Sequence, residues 1–427
     1  LLLGCSNAAD LVPANVRHDF ESSKGSKNMR ALRNFAVAML SAGGAVTPLA
    51  ASASTFTTLY TFTGGKDGGN PFGPLLYQHG AFYGTAHAGS DADKANGTVF
   101  KIDVKTARFK VVYAFQGAPD GSGPGSGVIY QDGMLYGTTY FGGAGCSPGG
   151  CGTIFSIDEK TGAESVLYDF PASNGGPDGS VLPGQVIDVA GTLYGITQYG
   201  GANNAGSFFS LNPSTGTFAM LTSFAGVNGV NPNLQLLYQS GLVYGTTMYG
   251  GEGACFLGGC GVLFSIDPAT GGETVVRSFA KKDGKYPNSN LAYDAGSLFG
   301  DTFVGGNQSC THGCGVSYKI KAASGREKVL EDFQNRGEEY SGISIVGGNA
   351  YETLPSGGNG YGELLKVNLK SGQQTVLYTF TGDADGASPE AALTYHDGAF
   401  YGTTMSGGGN RSCAGDYGCG TVFKFVP

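Results

Sequence analysis

The sequence predicts an all-β protein: a seven-bladed β-propeller of four-stranded antiparallel blades, closed by an N-terminal strand that completes the last blade. Three observations carry this. A phrase of the form [LF]-Y-G-T-T, a phrase G-T-V-F-K-I-D and a phrase L-Y-x-F each recur seven times in the same order. Each alternates large apolar with small or polar residues, the period-two signature of a strand. A repeat of roughly 50 residues with several strands inside it has the size of a propeller blade.

The first phrase runs from Phe82-Tyr83-Gly84-Thr85 and Leu135-Tyr136-Gly137-Thr138 to Phe400-Tyr401-Gly402-Thr403, with Ala350-Tyr351-Glu352-Thr353 as its most divergent copy. The second begins at Gly97, Gly152, Gly206, Gly261, Gly315, Gly362 and Gly420. The third ends at Phe62, Phe115, Phe170, Phe224, Phe279, Phe333 and Phe380. A further strand precedes each first phrase, as in Leu75-Leu76-Tyr77 and Leu393-Thr394-Tyr395. Turns such as His79-Gly80, Asp132-Gly133, Ser240-Gly241 and Asp397-Gly398 join it to the next strand, and X-Gly pairs suit type I′ hairpins. The repeats open on a lone L-Y-T-F strand and end on a lone G-T-V-F-K-F strand. The missing outer strand of the last blade is therefore expected from Thr58 to Phe62, which removes an open edge.

Composition agrees. Of 427 residues, 76 are Gly and none is Trp, yet 41% are hydrophobic and 11% aromatic. That apolar content excludes disorder, so the glycines mark tight turns. A net charge of −8 and a pI near 5.1 argue against a nucleic-acid partner.

Residues 29 to 53 read as a secretory signal peptide. Arg30 and Arg33 precede an apolar stretch, and Ala51-Ser52-Ala53 is an A-x-A cleavage signal. The stretch is too short for a lasting membrane span, so no transmembrane segment is expected in the mature chain. Residues 1 to 28 read as an upstream extension outside the mature protein. The alternative is a lipobox at Leu2-Leu3-Gly4-Cys5 with Cys5 acylated. Residues 54 to 427 are then a single propeller domain, expected to be exported to the periplasm, cell surface or medium as a monomer.

Eight cysteines fall in four local pairs, Cys146/Cys151, Cys255/Cys260, Cys310/Cys314 and Cys413/Cys419, all at one place in the repeat. Even number, close spacing and export point to disulfides. Zinc is the rival, but it wants four ligands and the pairs sit on different blades, so no metal site is expected.

The phrases Y-G-T-T-x-x-G-G, G-T-[VIL]-F-x-[IL]-[DN] and D-G-x-x-P together resemble the Gloeo/Verruco (GloVer) tandem repeat of exported bacterial proteins, over nearly all of 55 to 427. The resemblance implies an exported propeller and no defined activity or catalytic residue.

The turns within hairpins are short on one face, where His79 and His396 are expected in exposed turns. Length variation and every mature cysteine fall on the other face. Function usually sits on loops carried by a rigid scaffold, so the elaborated face is the expected site. Aromatics follow the strands there, at Tyr140, Tyr199, Tyr249 and Phe303, and could stack on sugars or pack between blades. Acidic turns recur at Asp67, Asp120, Asp178, Asp283 and Asp385. They read first as Asx-type turns and second as calcium ligands, for which Asp383-Ala384-Asp385-Gly386 alone is suggestive. Motifs for acyl transfer, zinc proteolysis and phosphate binding are missing. The reading is a non-catalytic binding or scaffolding module for a polysaccharide or surface protein. The alternative is a polysaccharide hydrolase or lyase with Asp120, Asp178 and Asp283 at the channel mouth.

Overall fold

Seven antiparallel sheets form, and each follows the chain outward. Blade 1 runs Leu76–Gln78, Ala81–Ala86, Thr98–Asp103, Phe109–Ala114; blade 7 runs Thr394–His396, Ala399–Thr404, Thr421–Val426 and then Thr55–Thr61 from the start of the repeats. The computed structural model describes residues 54–427 apart from 72, 89–95, 145–150, 172–179, 254, 256–257, 307–312, 334–341, 410–412 and 414–417. The segment 1–28 with Cys5, the leader 29–53, Asp178, Cys146 and Cys310 lie outside the described residues.

The closing strand pairs antiparallel with the last one, Thr55 opposite Val426 and Thr61 opposite Thr421. Inner strands of neighbouring blades touch, including Leu76–Gln78 of blade 1 against Thr394–His396 of blade 7, so the ring is shut. The hairpin turns are type I′. His79 and Gly80 have φ of 48° and 80°, and Asp132 and Gly133 have 50° and 90°. His79 is exposed there, but His396 is not a turn residue. It ends the inner strand of blade 7, and its ring stacks on Tyr77 of blade 1 at 3.7 Å.

Blades stack through one repeated contact. The glycine of Y-G-T-T faces the ring on the third strand, so closely that a Cβ on Gly84 would lie 2.5 Å from Phe100 and one on Gly402 2.6 Å from Phe423. The outer-strand Phe of the preceding blade meets that ring near its edge: Phe62 on Phe100 at 5.2 Å, Phe115 on Phe155 at 5.0 Å, Phe170 on Phe209 at 5.6 Å and Phe380 on Phe423 at 5.5 Å. Such edge contacts are the favoured aromatic geometry. In all seven blades the amide of this outer Phe also donates to the carbonyl of the glycine that opens the third strand, as in Phe62 to Gly420 at 3.0 Å and Phe115 to Gly97 at 3.1 Å.

Among the described residues, a latch joins a blade to the next lead-in segment at five junctions. The residue before the lead-in proline lies in the left-handed region, at Asn70, Asn231, Tyr286 and Ser388 (φ 54° to 59°) and at Gly123 (φ 64°). Its amide donates to the carbonyl just ahead of the previous blade's third-strand glycine, for example Asn70 to Cys419 at 2.8 Å and Ser388 to Tyr361 at 2.9 Å. The proline then covers that glycine. A Cβ on Gly206 would lie 2.4 Å from Pro232 and one on Gly362 2.4 Å from Pro389.

At the rim, a ring at the start of three outer strands meets the preceding outer strand. Phe109 stacks on Tyr60 at 3.7 Å, Phe218 on Tyr168 at 3.9 Å and Phe56 on Tyr378 at 4.1 Å. Blade 2 places Glu164 there, against Tyr113 and Asp120. Burial, and then the Asp120 charge, push its carboxyl up from 4.5 to about 7. An acid raised on folding contributes stability that is complete below its unfolded value and lost as pH rises through its folded one. Glu164 thus favours the fold below pH 4.5 and opposes it above 7. Replacing Glu164→Phe copies the Phe109–Tyr60 stack. It should raise the melting temperature at pH 8, by a stabilisation of about 1 kcal/mol, and flatten the loss of stability between pH 4.5 and 7. Thermal melts across that range check this, and an unchanged or lowered melting point at pH 8 refutes it.

Candidate functional site

The second Thr of T-T fixes the rim of the elaborated face. Its hydroxyl donates to the carbonyl two residues on and accepts from the third-strand amide, as in Thr197 to Tyr199 at 2.8 Å with Ser207 to Thr197 at 3.2 Å. Thr247 repeats this with Tyr249 and Val262. The side chains that follow are therefore held by strands, not by free loops.

These side chains do not form one ring. Tyr140 and Phe303 come directly after the threonine, whereas Tyr199 and Tyr249 come one residue later. Period two sends the two sets to opposite faces of the strand. The half-buried Tyr140 lies over Gly125, to whose carbonyl its hydroxyl donates at 3.0 Å, and beside His87 at 5.5 Å. Burial lowers the His87 imidazole from its ordinary 6.5, and the carbonyls of Pro124 and Gly123 partly oppose this. Phe303 is half-buried on blade 5.

Tyr249 meets a ring that the sequence reading missed, and Tyr199 lies near enough to act on its phenol. Tyr249 of blade 4 meets Tyr286 of the blade 5 lead-in at 5.2 Å, and Lys285 lies over Tyr286 at 5.6 Å. Burial raises the Tyr249 phenol above 10, aided by Tyr286 and then Tyr199. All three rings are half-buried. Tyr286 occupies the left-handed latch position, with φ 59°, where other lead-ins place Asn, Ser or Gly. A bulky residue in that region is an outlier that surrounding structure must enforce. Here the Tyr286 amide donates to the Cys260 carbonyl at 2.8 Å, and Cys260 is bonded to Cys255. The signal in the sequence was Tyr before Pro287 where N-P, S-P or G-P stands in four other lead-ins.

The acidic turns are tied into the outer strands of separate blades. Asp67 accepts from the Tyr60 hydroxyl at 2.9 Å and the Thr63 amide at 2.8 Å. Asp385 accepts from Tyr378 at 3.0 Å and the Thr381 amide at 2.9 Å, and Asp120 from Tyr113 at 3.0 Å and the Gln116 amide at 2.7 Å. Asp283 pairs with Arg277 at 2.5 Å. These bonds occupy the carboxylates in turn geometry, and the structure does not bring them together. Among the described residues, no three His, Cys, Asp or Glu side chains are placed to hold a metal ion. A separate cleft of about 600 Å³ opens between blades 6 and 7, beside Tyr361, Asp383, Ser388 and Met405.

Disulfides join Cys255–Cys260 and Cys413–Cys419, and Cys151 and Cys314 are also disulfide-bonded. The second cysteine of each pair directly precedes a third-strand glycine, so the bridges stiffen the loops that carry the latch carbonyls. Among the described residues no helix is long and apolar enough to cross a membrane.

The Gloeobacter/Verrucomicrobia repeat profile matches residues 39–258 and 94–312, and the chain belongs to that family. No curated protein matches it. Solved structures with a similar fold include an oligogalacturonate lyase in complex with manganese, 12% identical over 88% of this chain and 96% of the other, with a TM-score of 0.51. The extracellular domain of BT4673 from B. thetaiotaomicron is 11% identical over 86% of this chain and 39% of that one, with a TM-score of 0.54. TolB from Acinetobacter baumannii reaches a TM-score of 0.41 at 12% identity, over 69% of this chain and 62% of that chain. The first two likenesses show the fold alone.

Replacing Cys255→Ser and Cys260→Ser together should leave the propeller folded, because a bridge across five residues contributes only about 2 kcal/mol or less. Amide exchange at Tyr286 should speed up relative to Asn231, whose acceptor Ala205 carries no bridge. Unchanged exchange at Tyr286 would show that the bridge does not hold the latch.

Proposed function

We propose that the protein is an exported, non-catalytic binding module that takes a polysaccharide or another cell-surface molecule on its elaborated face, at Tyr199, Tyr249 and Tyr286. The observation that carries this is Tyr286, a bulky ring held in a backbone conformation that Asn, Ser or Gly fills elsewhere. Half-exposed phenol rings present flat apolar faces with polar edges, the chemistry that packs on sugar rings. The rings sit on strand ends and a disulfide-braced latch, so little ordering is needed on binding. The acidic turns fit this reading, since Asp67, Asp120 and Asp385 each accept from an outer-strand Tyr and a backbone amide and Asp283 pairs with Arg277, all on separate blades.

Tyr286→Asn is a conservative probe of the fold, because Asn70 and Asn231 occupy the same position. Together with Tyr249→Ala it should weaken retention on the bound polysaccharide roughly tenfold, about 1.4 kcal/mol, while Tyr140→Ala should not. The assay is a panel of bacterial and plant polysaccharides, with and without calcium, scored for retention and released products in the same tubes. The fold-level likeness to a lyase is the reason to score products. Released products would overturn the non-catalytic reading, and equal loss with Tyr140→Ala would overturn the site.

A further inference from the structure

The opposite face, with its minimal turns, is chemically divided. At the fourth position of the third strand, blades 5, 6, 7 and 1 carry Lys319, Lys366, Lys424 and Lys101, whereas blades 2, 3 and 4 carry Ser156, Ser210 and Ser265. The four lysines are consecutive around the ring, because blade 1 follows blade 7. Each pairs in register with the aromatic of its second strand and lies over it, Lys319 above Phe299 at 5.1 Å, Lys366 above Tyr351 at 5.9 Å, and Lys424 and Lys101 above Tyr401 and Tyr83 at 5.7 Å. All four are half-exposed, and among the described residues none has a carboxylate within 4.0 Å. The same turns of blades 2 to 4 carry Asp132, Asp158, Glu159, Asp188 and Asp267 with one lysine, Lys160, whereas those of blades 1, 5 and 7 set Asp103, Asp294 and Asp397 beside Lys105, Lys321 and Arg326. Glu159 marks the boundary, accepting from the Tyr83 hydroxyl at 2.6 Å and meeting His79 at 3.2 Å.

We infer that this lysine arc is a second binding site, for an acidic polysaccharide, on the face opposite the tyrosine cluster. Four unpaired ammonium groups in a row are against the trend of a chain with 33 acidic and 25 basic residues, and they call for an anion. Rings beside them favour a sugar polymer. Tyr395, 46% exposed, stands next to Tyr351 beneath Lys366, and Tyr77 with His396 forms a stacked pair at the next junction, by Tyr401 beneath Lys424. An exposed ring beside an ammonium matches a uronate or sulfated sugar, which has an apolar ring face and a fixed negative charge. The acids that surround the arc, from Asp103 on blade 1 to Asp267 on blade 4, disfavour a long duplex, whose charge runs on past any short arc.

The test uses the full chain in affinity electrophoresis through alginate, with uncharged dextran and duplex DNA in parallel. The variant changes Lys101, Lys319, Lys366 and Lys424 each to Ser, the residue that blades 2 to 4 already fit at this place, so folding is preserved; a thermal melt confirms it. We expect alginate to retard the wild type in a salt-sensitive way, dextran not to retard it through this arc, and the quadruple variant to bind alginate about tenfold or more weakly. Lys366→Arg with Lys424→Arg should keep the affinity. Tyr140→Ala should leave alginate binding unchanged. Retention that is insensitive to salt and lost with Tyr249→Ala and Tyr286→Asn belongs to the tyrosine cluster, whereas salt-sensitive retention lost with the lysines belongs to the arc, so failure of this site and failure of that cluster are read separately. The inference is overturned if alginate does not retard the wild type, if the serine variant binds as well, if DNA binds equally through the same lysines, or if light scattering shows that the arc pairs two copies of the chain instead.

Discussion

The constraint on which the structure rests is the glycine of Y-G-T-T facing an aromatic ring on the next strand. With no Cβ, Gly84, Gly137, Gly195, Gly245, Gly300 and Gly402 let that ring approach the sheet at distances no other residue allows. The ring then presents an edge to the outer-strand Phe of the neighbouring blade. One missing methyl group therefore sets the spacing within a blade and the contact between blades. Because the contact recurs around the ring, closure needs no special interface: Phe62, from the N-terminal strand, meets Phe100 of blade 1 as Phe115 meets Phe155. Burial of these rings is nearly complete, and each contributes a few kcal/mol.

With packing settled between blades, the two faces are free to differ. Turns on the plain face need only positive φ and an Asx bond, as when Asp103 accepts from the Lys105 and Thr106 amides. Loops on the elaborated face are longer, and their bridges lie beside the latch carbonyls. The disulfides thus act on the contact that aims Tyr286, a local role suited to short bridges. The two proposed sites also draw on different parts of the repeat. The tyrosine cluster comes from strand ends and a latch, the lysine arc from mid-strand positions two residues before a turn.

The fold was legible because its determinants are local and repeated. Gly, Phe and Asx turns recur at fixed spacing, and the strand count, blade count and closing strand all follow from them. The site was only partly legible. Aromatics after Y-G-T-T stand out, but a one-residue offset between Tyr140 and Tyr199 reverses the face of the strand, and spacing read by eye does not resolve it. Tyr286 belongs to the lead-in of another blade and becomes visible only when D-G-x-x-P segments are compared position by position. The lysine arc was present as K-I-D against S-I-D, yet its meaning depends on blade 1 lying next to blade 7. His396 was misplaced for a similar reason, since its partner Tyr77 lies across the closure.

The junction of blades 5 and 6 tests whether the glycine–ring contact is the governing one, because there the sequence departs from it. Glu352 replaces the glycine, and in register with it Leu365 replaces the ring, so both members of the pair change together. A phenylalanine could not lie over a glutamate side chain, but the slimmer leucine can, and Leu365 still meets Phe333 in the core. The new carboxylate is buried, and its Oε1 lies 3.0 Å across the junction from the Ser317 hydroxyl, whose one proton it shares with Asp301. Ser317 stands where the other blades have an apolar residue, and Asp301 where most have Thr, so these polar residues arise at the same seam. Substitutions that would each be costly alone are thus confined to one seam, where they compensate one another. The seam keeps its Phe333 amide bonded to the Gly315 carbonyl at 3.1 Å. The backbone rule survives where the side-chain rule is rewritten, and the ring tolerates one altered junction among seven because each blade meets only its two neighbours.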